Sequence, residues 1–228
     1  MFVYNDLMNN VKLLSYSQLP HNSDLELDTA QDLISYCARV SNPANQMNSE
    51  TSEKLIKYLI QHKHWSPLEM VSACLEINTT RDIAHQIVRH RSFSFQEFSQ
   101  RYANPDQQGN LFEYSEARLQ DEKNRQNSIQ TDDKRLQTDW LHSQMRIAHL
   151  AKKEYDWAIK KGIAKEQARK GLPEGLTKTR LYMNGTLRSW VHYIELRGDN
   201  GTQKEHMEIA HACAHAIASI FPLINELY

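Results

Sequence analysis

Residues 71–102, VSACLEINTTRDIAHQIVRHRSFSFQEFSQRY, combine strand and helix patterns in one short run. Apolar and polar side chains alternate through the first part of the run, which predicts a strand with one buried face. Thr79 and Asp82 have the spacing of a capping box, so a helix should begin there and continue to about Arg89. The phenylalanines that follow favour extended structure. The run therefore indicates an α+β fold.

The rest of the chain contributes mostly helices. Apolar periodicity predicts a short edge strand at 11–16 and helices at 29–40, 51–62, 140–168 with a break at Gly162, 181–196 and 206–220. Residues 104–133 are polar and are interpreted as an exposed insertion with some helix, not as a second domain. We expect a single domain over residues 1–228, with several helices around a small, mostly antiparallel sheet.

The overall charge argues against a protein that binds nucleic acid. The 228 residues include 27 basic and 28 acidic side chains, a formal net charge of −1. Proteins that coat a nucleic-acid backbone usually carry a clear basic excess. The N-terminal residues lack the pattern of a signal peptide, and no apolar segment approaches membrane-spanning length. We therefore expect a cytoplasmic protein with neither a nucleic-acid nor a membrane partner.

The three cysteines do not form a recognisable motif. Cys37, Cys74 and Cys213 are odd in number and widely spaced, so neither a disulfide framework nor a zinc ribbon is indicated. A free cysteine usually behaves as a small buried hydrophobe. We predict three reduced, buried thiols.

The second half of the opening run, RHRSFSFQEFSQRY at 89–102, concentrates arginine, serine and one glutamate. Helical spacing followed by strand alternation would place several polar side chains on one surface. These residues are Gln86, Arg89, His90, Glu97, Ser99 and Arg101. Arginine binds phosphate through paired donors, serine adds a donor, and a glutamate can accept from a ribose or a base. The pattern fits a nucleotide-binding wall; a solvated charged strand is the alternative.

Two other kinds of site match short patterns. Ser99 could be a nucleophile with His90 as its base, although no Gly-x-Ser-x-Gly elbow surrounds it. His211 and His215 have the spacing of two metal ligands on a helix, with His206 nearby, which leaves a metal-dependent hydrolase as an alternative. The glutamate of a His-Glu-x-x-His motif is absent, and no metal is predicted.

The arginine-rich run also carries a longer motif. Arg89-His90-Arg91, then seven residues, then Ser99-x-Arg101, resembles the signature of the flavin-dependent thymidylate synthases. Further blocks resemble that family in the same order: CARVS at 37–41, HKHWSPLE at 62–69, EQARKGLP at 166–173 and LRSWVHYIELR at 187–197. The string GTLRS departs from the family, in which an asparagine is common before the arginine and serine. The resemblance covers most of the chain outside the polar insertion.

The resemblance implies a cytoplasmic homotetramer of single catalytic domains that converts dUMP to dTMP, with active sites where subunits meet. It implies 5,10-methylenetetrahydrofolate as carbon donor and FAD, reduced by NADPH, as source of reducing equivalents. The implied dUMP-binding residues are Gln86, Arg89, Glu97, Phe98, Ser99, Gln100, Arg101, Arg169 and Arg197. The implied FAD-binding residues are His64, Ser66, Arg89, His90, Arg91, Glu97, Thr186, Leu187, Arg188 and His192. Arg197 is the implied catalytic group, because a guanidinium at the N3–O4 edge of uracil would stabilise developing negative charge.

Overall fold

The computed structural model describes residues 10–199 and 201–226. The prediction that the chain lacks a signal peptide rests mainly on residues 1–9, and these lie outside the described residues. The strands are β1 (Val11–Tyr16), β2 (Ser72–Thr80), β3 (Ser94–Glu97), β4 (Arg118–Gln120), β5 (Ser128–Gln130) and β6 (Lys178–Thr186). The helices are α1 (Ala30–Ala38), α2 (Ser52–Gln61), α3 (Arg81–Ile87), α4 (Lys134–Lys160), α5 (Lys165–Ala168), α6 (Leu187–Arg197) and α7 (Lys204–Ala218).

The main sheet has the strand order β1-β2-β6-β3, and every neighbouring pair is antiparallel. This confirms the predicted fold class and the predicted edge position of β1. The two central strands pair along their whole length, from Ser72 opposite Thr186 to Thr80 opposite Lys178. Helices α3, α6 and α7 pack against this sheet. Among the described residues, no helix combines the length and the apolar character needed to cross a bilayer.

The alternation predicted for β2 is present, and its apolar side chains are fully buried. Strand β6 has the same pattern, with Leu181 and Met183 inside and Arg180 and Tyr182 partly exposed. The predicted helix at 181–196 is therefore wrong in its first third, because residues 178–186 form the central strand and the helix begins at Leu187. Asn184 and Gly185 have low strand propensity, so the sequence does not mark residues 181–186 as a strand. The predicted helix therefore began too early.

The opening run differs from the prediction at two junctions. Helix α3 has Thr80, not Thr79, at its N-cap, because Thr79 is a buried residue of β2. Strand β3 ends at Glu97, and the chain turns immediately afterwards. The predicted alternation of Glu97, Ser99 and Arg101 along one strand is therefore wrong, since the last two lie in the turn.

The polar insertion contains more structure than predicted. A 3₁₀ helix at Pro105–Gln108 precedes an antiparallel hairpin of β4 and β5, which the sequence did not indicate. Helix α4 begins at Lys134 and ends just before Gly162, whose φ of 80° is the predicted break. All three cysteines are free, but only Cys213 is buried; Cys37 and Cys74 are partly exposed, so the prediction of three buried thiols was wrong for these two.

Candidate functional site

The turn after α3 meets the last residue of α6. Arg197 Nε donates to His90 Nε2 at 3.0 Å, and the His90 ring packs edge-on against Tyr193 with centroids 4.9 Å apart. An imidazole nitrogen can accept this bond only when it carries no proton, so His90 is neutral. Burial lowers the His90 pKa to about 4, with further contributions from the Arg197 and Arg89 charges. The contact positions the guanidinium of Arg197 against an uncharged partner.

A buried polar network continues from this contact. His206 is fully buried; its Nδ1 lies 3.2 Å from Gln86 Oε1 and its Nε2 lies 3.2 Å from the Tyr193 hydroxyl. Gln86 Nε2 donates to Gln203 Oε1 at 2.8 Å. Burial, followed by the Arg197 charge, lowers the His206 pKa to about 3, and burial raises the Tyr193 pKa well above its usual value. His206 and Tyr193 are therefore both uncharged, like His90.

Glu97 occupies a separate cluster at the end of β3. Its Oε1 accepts from Arg81 NH1 at 3.1 Å and from the Thr179 hydroxyl at 2.9 Å. The sequence prediction did not include Arg81. The sequence signal for Arg81 is its position between the end of β2 and the start of α3, which brings the guanidinium beside the neighbouring strands.

The turn after β3 adjoins the segment that carries Arg169. Arg101 Nε lies 3.8 Å from Glu166, which precedes Arg169 by less than one helical turn. Gln100 is buried, and its Nε2 makes no hydrogen bond within the described parts of the chain. The backbone amide of Arg101 donates to the Ser99 hydroxyl at 3.4 Å. The structure thus brings the two predicted dUMP-binding segments side by side.

A further cluster surrounds the N-terminal end of α6. Arg188 forms an ion pair with Glu69, and the His192 ring meets Trp65 edge-on at 4.4 Å. The helix is capped by the Thr186 hydroxyl, which accepts from the Ser189 amide at 3.3 Å. The contacts place the 62–69 and 187–197 motifs against each other. Trp65 was not predicted, although its motif was.

The predicted residues form separate groups in one chain rather than a single pocket. Arg188 and Arg197 are nine residues apart on α6, or about 14 Å along the helix axis. Glu97 pairs with Leu181, so the start of α6 lies about 20 Å further along β6. Ser66, His64, Arg89 and Arg91 are exposed.

The comparisons with known proteins bear on this arrangement. A family model described as thymidylate synthase complementing protein matches residues 25–223. A relative in Paramecium bursaria Chlorella virus 1, named probable flavin-dependent thymidylate synthase, is 50% identical over 205 residues, which are 88% of this chain and 91% of that protein. This chain belongs to the flavin-dependent thymidylate synthase family. A flavin-dependent thymidylate synthase of Synechocystis is 46% identical over 94% of this chain and 97% of its own length. The predicted family and the prediction of an enzyme are confirmed.

Solved structures support the fold of this flavin-dependent thymidylate synthase family member. The UMP/dUMP methylase PolB from Streptomyces cacaoi, bound with 5-Br dUMP, has a TM-score of 0.75 at 23% identity, covering 95% of this chain and 93% of that chain. The same methylase bound with 5-Br UMP has a TM-score of 0.73 at 24% identity, covering 95% and 92%. The match extends over nearly all of both chains.

The chemistry of the predicted flavin residues fits FAD. Arg89 and Arg91 present exposed guanidinium groups, which suit the diphosphate. The rings of Trp65 and His192 suit a flat aromatic ligand. Within residues 10–199 and 201–226, no group of three or more His, Cys, Asp or Glu side chains could hold a metal ion. His90 accepts a hydrogen bond from Arg197. This contact gives no support to the hypothesis that His90 is the base for a Ser99 nucleophile.

Proposed function

We propose that this chain catalyses the reductive methylation of dUMP to dTMP, with 5,10-methylenetetrahydrofolate as carbon donor and FAD, reduced by NADPH, as electron source. Family membership supports the reaction. The observation that carries the mechanism is the hydrogen bond from Arg197 to an uncharged His90. When bound, FAD supplies the reducing equivalents that complete the methyl group.

Arg197 activates the uracil ring in this proposal. Carbon 5 of uracil is a poor nucleophile, and negative charge develops at the N3–O4 edge as it attacks. The bond to His90 uses only Nε of Arg197, and within the described residues the two terminal nitrogens remain for a ligand. A preorganised guanidinium in a partly buried site stabilises such charge far better than water does.

A cysteine nucleophile is the other way to activate the ring. Cys213 is fully buried, and burial raises its thiol pKa, so it is protonated at neutral pH. Burial also raises the pKa of the Cys37 and Cys74 thiols. Nucleophilic thiols require the opposite environment, one that lowers the pKa. The thiol environments therefore favour activation by Arg197.

Substrate binding is assigned to the motifs that the structure brings together. Ser99, Arg101 and Arg169 supply donors suited to the dUMP phosphate, and Gln86 and Arg197 are assigned to the base. Gln100 adds a buried amide donor that lacks a protein partner among the described residues. The flavin is assigned to the arginines after α3 and to the start of α6. The residues that complete the dUMP and FAD sets are Arg89, Glu97, Phe98, His64, Ser66, His90, Arg91, Thr186, Leu187, Arg188 and His192.

We propose a homotetramer in which these separate groups meet across subunits. Helix α4 supports this self-association, because five of its exposed large apolar side chains are spaced by three, four or seven residues. These positions are Leu136, Trp140, Ile147, Leu150 and Trp157; Leu141 and Met145 are also exposed but do not share this spacing. The five form a stripe beside, and not on, the face that α4 packs into its own chain. Spacing of this kind fits another helix.

The stripe is complementary to itself in the antiparallel direction. A second copy of α4, centred between Ala148 and His149, would pair Ile147 with Leu150 and Trp140 with Trp157. The polar positions would then also coincide, since Ser143 pairs with Glu154. Two-fold interfaces require this kind of self-complementarity. A second copy of the chain is therefore the occupant that we propose.

Light scattering during size-exclusion chromatography tests the interface. The Ile147→Glu variant should shift the protein to a smaller assembly, whereas His149→Glu, on an exposed face away from the stripe, should not. An unchanged mass for Ile147→Glu, or a monomeric wild type, would contradict the interface. Co-purification of an unrelated protein in stoichiometric amount would assign the stripe to another partner.

A visible absorption spectrum, followed by a dUMP-dependent assay of NADPH oxidation, tests the function. We expect a flavin spectrum after FAD is added, and release of dTMP when dUMP and 5,10-methylenetetrahydrofolate are both present. Omission of either substrate provides the control for uncoupled oxidation. A protein that takes up FAD but forms no dTMP would overturn the proposed reaction.

A further inference from the structure

The polar network beneath α6 has only one consistent hydrogen-bond direction. The network ends at the carboxylate of Glu205, which can only accept hydrogen bonds. Its Oε1 lies 2.6 Å from Arg118 NH2. Gln203 Nε2 lies 3.1 Å from Glu205 Oε2 and must therefore donate to it. This leaves Gln203 Oε1 as the acceptor that faces Gln86. The ion pair between Arg118 and Glu205 thus fixes the Gln203 amide.

The same logic fixes Gln86. Its Nε2 donates to Gln203 Oε1 at 2.8 Å, so its Oε1 faces His206 Nδ1 at 3.2 Å and must accept from it. His206 therefore carries its proton on Nδ1, and its Nε2 accepts from the Tyr193 hydroxyl at 3.2 Å. The raised pKa of Tyr193 and the lowered pKa of His206, both caused mainly by burial, agree with these protonation states. One amide hydrogen of Gln86 has no partner within the described part of the chain.

We infer that His206 is a positioning residue that, together with Gln203, holds the direction of the Gln86 side-chain amide, so that Gln86 presents an N–H donor to dUMP. The inference rests on the proposed function, in which Gln86 contacts dUMP. His206 itself is enclosed and does not touch the ligand in this role. If the Gln86 amide rotated by half a turn, it would present a carbonyl oxygen instead, and the uracil carbonyls would lose a donor.

Two substitutions separate the two nitrogens of His206. An asparagine amide nitrogen approximates Nδ1, so His206→Asn should keep the bond to Gln86 and lose the bond to Tyr193. A glutamine side-chain oxygen can take the place of Nε2 and accept from the Tyr193 hydroxyl, so His206→Gln should keep that bond and lose the bond to Gln86. Each variant removes one buried hydrogen bond, so similar losses of thermal stability are expected. Only His206→Gln should impair the orientation of Gln86.

The measurement is a calorimetric titration of dUMP into the FAD-loaded protein, with KM and kcat determined in parallel. We expect about tenfold weaker dUMP binding and a raised KM for His206→Gln, with kcat little changed, and dUMP affinity within about threefold of wild type for His206→Asn. The control His215→Asn, at an exposed position on the same helix, should bind dUMP normally. FAD affinity should be the same in all four proteins.

Equal loss of dUMP affinity in both His206 variants would reduce the residue to a structural role, and no loss in either would overturn the inference. If either variant fails to fold, Gln203→Ala tests the other end of the network at an exposed position, and wild-type dUMP affinity there would also overturn it. A wild-type protein that binds FAD but not dUMP would instead overturn the proposed function, and the inference with it.

Discussion

Helix α6 carries an arginine near each end, and the partners of the two differ in charge. Arg188, in the first turn, forms an ion pair with Glu69 at the surface. Arg197, the last residue of the helix, bonds to a neutral His90, and no carboxylate of the described residues pairs with it. The charge of Arg188 is balanced by Glu69, whereas no ion pair is formed by Arg197 among the described residues.

The difference separates two uses of the same side chain. A neutral partner orients a guanidinium without cancelling its field, and the field is stronger in a partly buried site than in water. An arginine held in this way can stabilise negative charge that appears only during a reaction. An exposed ion pair exchanges readily with solvent or with a phosphate, which suits binding.

The largest effect is expected from Arg197→Ala. Loss of a preorganised donor at a developing negative charge lowers kcat by about 10² to 10³-fold. FAD should still bind, because Arg197 is not among the residues assigned to the flavin and only one of those residues, His90, contacts it. Steady-state assays of dTMP formation and a flavin spectrum measure both properties, with Arg125→Ala, an exposed arginine of the insertion, as the matched control. Turnover near the wild-type rate would break the contrast between the two ends of α6.

Acid should destabilise the Arg197 end of the helix. In the unfolded chain His90 and His206 take up protons below pH 6.5, but in the fold they do so only near pH 4 and pH 3 respectively. The unfolded chain therefore binds more protons in between, and the free energy of unfolding falls as the pH drops from about 7 to about 4. The loss should be on the order of 2 kcal/mol for each histidine, and less for His90 because it is partly exposed.

Urea denaturation at a series of pH values measures this dependence. His206→Asn, which cannot titrate, should lose less stability over the same range than wild type. Superimposable pH dependences for the two proteins would mean that His206 takes up its proton at the same pH in the fold as in the unfolded chain. The directional network of hydrogen bonds would then be wrong.

Gly185 supports the packing beneath both ends of the helix. An added Cβ there would lie 2.4 Å from the Phe93 ring, which packs edge-on against Trp190 at 4.8 Å and Tyr193 at 5.9 Å. Overpacking of this kind should lower the free energy of unfolding of Gly185→Ala by about 1 to 3 kcal/mol. Gly171→Ala, where the added atom meets open space, is the control. Equal stability of the two variants in urea would show that Phe93 moves freely.

The smallest effect is expected at the Arg188 end. Removal of an exposed ion pair costs less than about 1 kcal/mol, so Arg188→Met and Glu69→Gln should both be nearly as stable as wild type. Their FAD affinities should differ: about tenfold weaker for Arg188→Met, because a phosphate donor is lost, and unchanged or tighter for Glu69→Gln. Fluorescence titration with FAD decides the matter. Equal affinities would leave Arg188 as a surface ion pair only.

The fold was predictable where a pattern is local and continuous. The alternation in β2 and the spacing in α1, α2 and α7 identified these elements to within a few residues. Strand β6 was missed because Asn184 and Gly185 have low strand propensity, and because its partners lie about 100 residues earlier. Pairing over such a distance leaves no signal in the segment itself.

The candidate site shows the same limit. The motifs named Gln86, His90 and Arg197, but nothing in the sequence indicated that His206 lies between Gln86 and Tyr193. The histidine spacing on α7 suggested only a metal site, as an alternative that was not adopted, because i, i+4 spacing is a local feature and the contact with α3 is not. Arg81 was missed for a similar reason, since its contact with Glu97 depends on the turn between α3 and β3.

The position of β6 between β2 and β3 also constrains the order of events during synthesis. Both neighbours emerge from the ribosome about 80 residues or more before their shared partner, and they have no ladder with each other. Until residue 186 is translated, each presents an unpaired edge to the surrounding solution. Such edges invite pairing with other chains, so this stretch of translation is the interval in which the nascent protein most needs a chaperone.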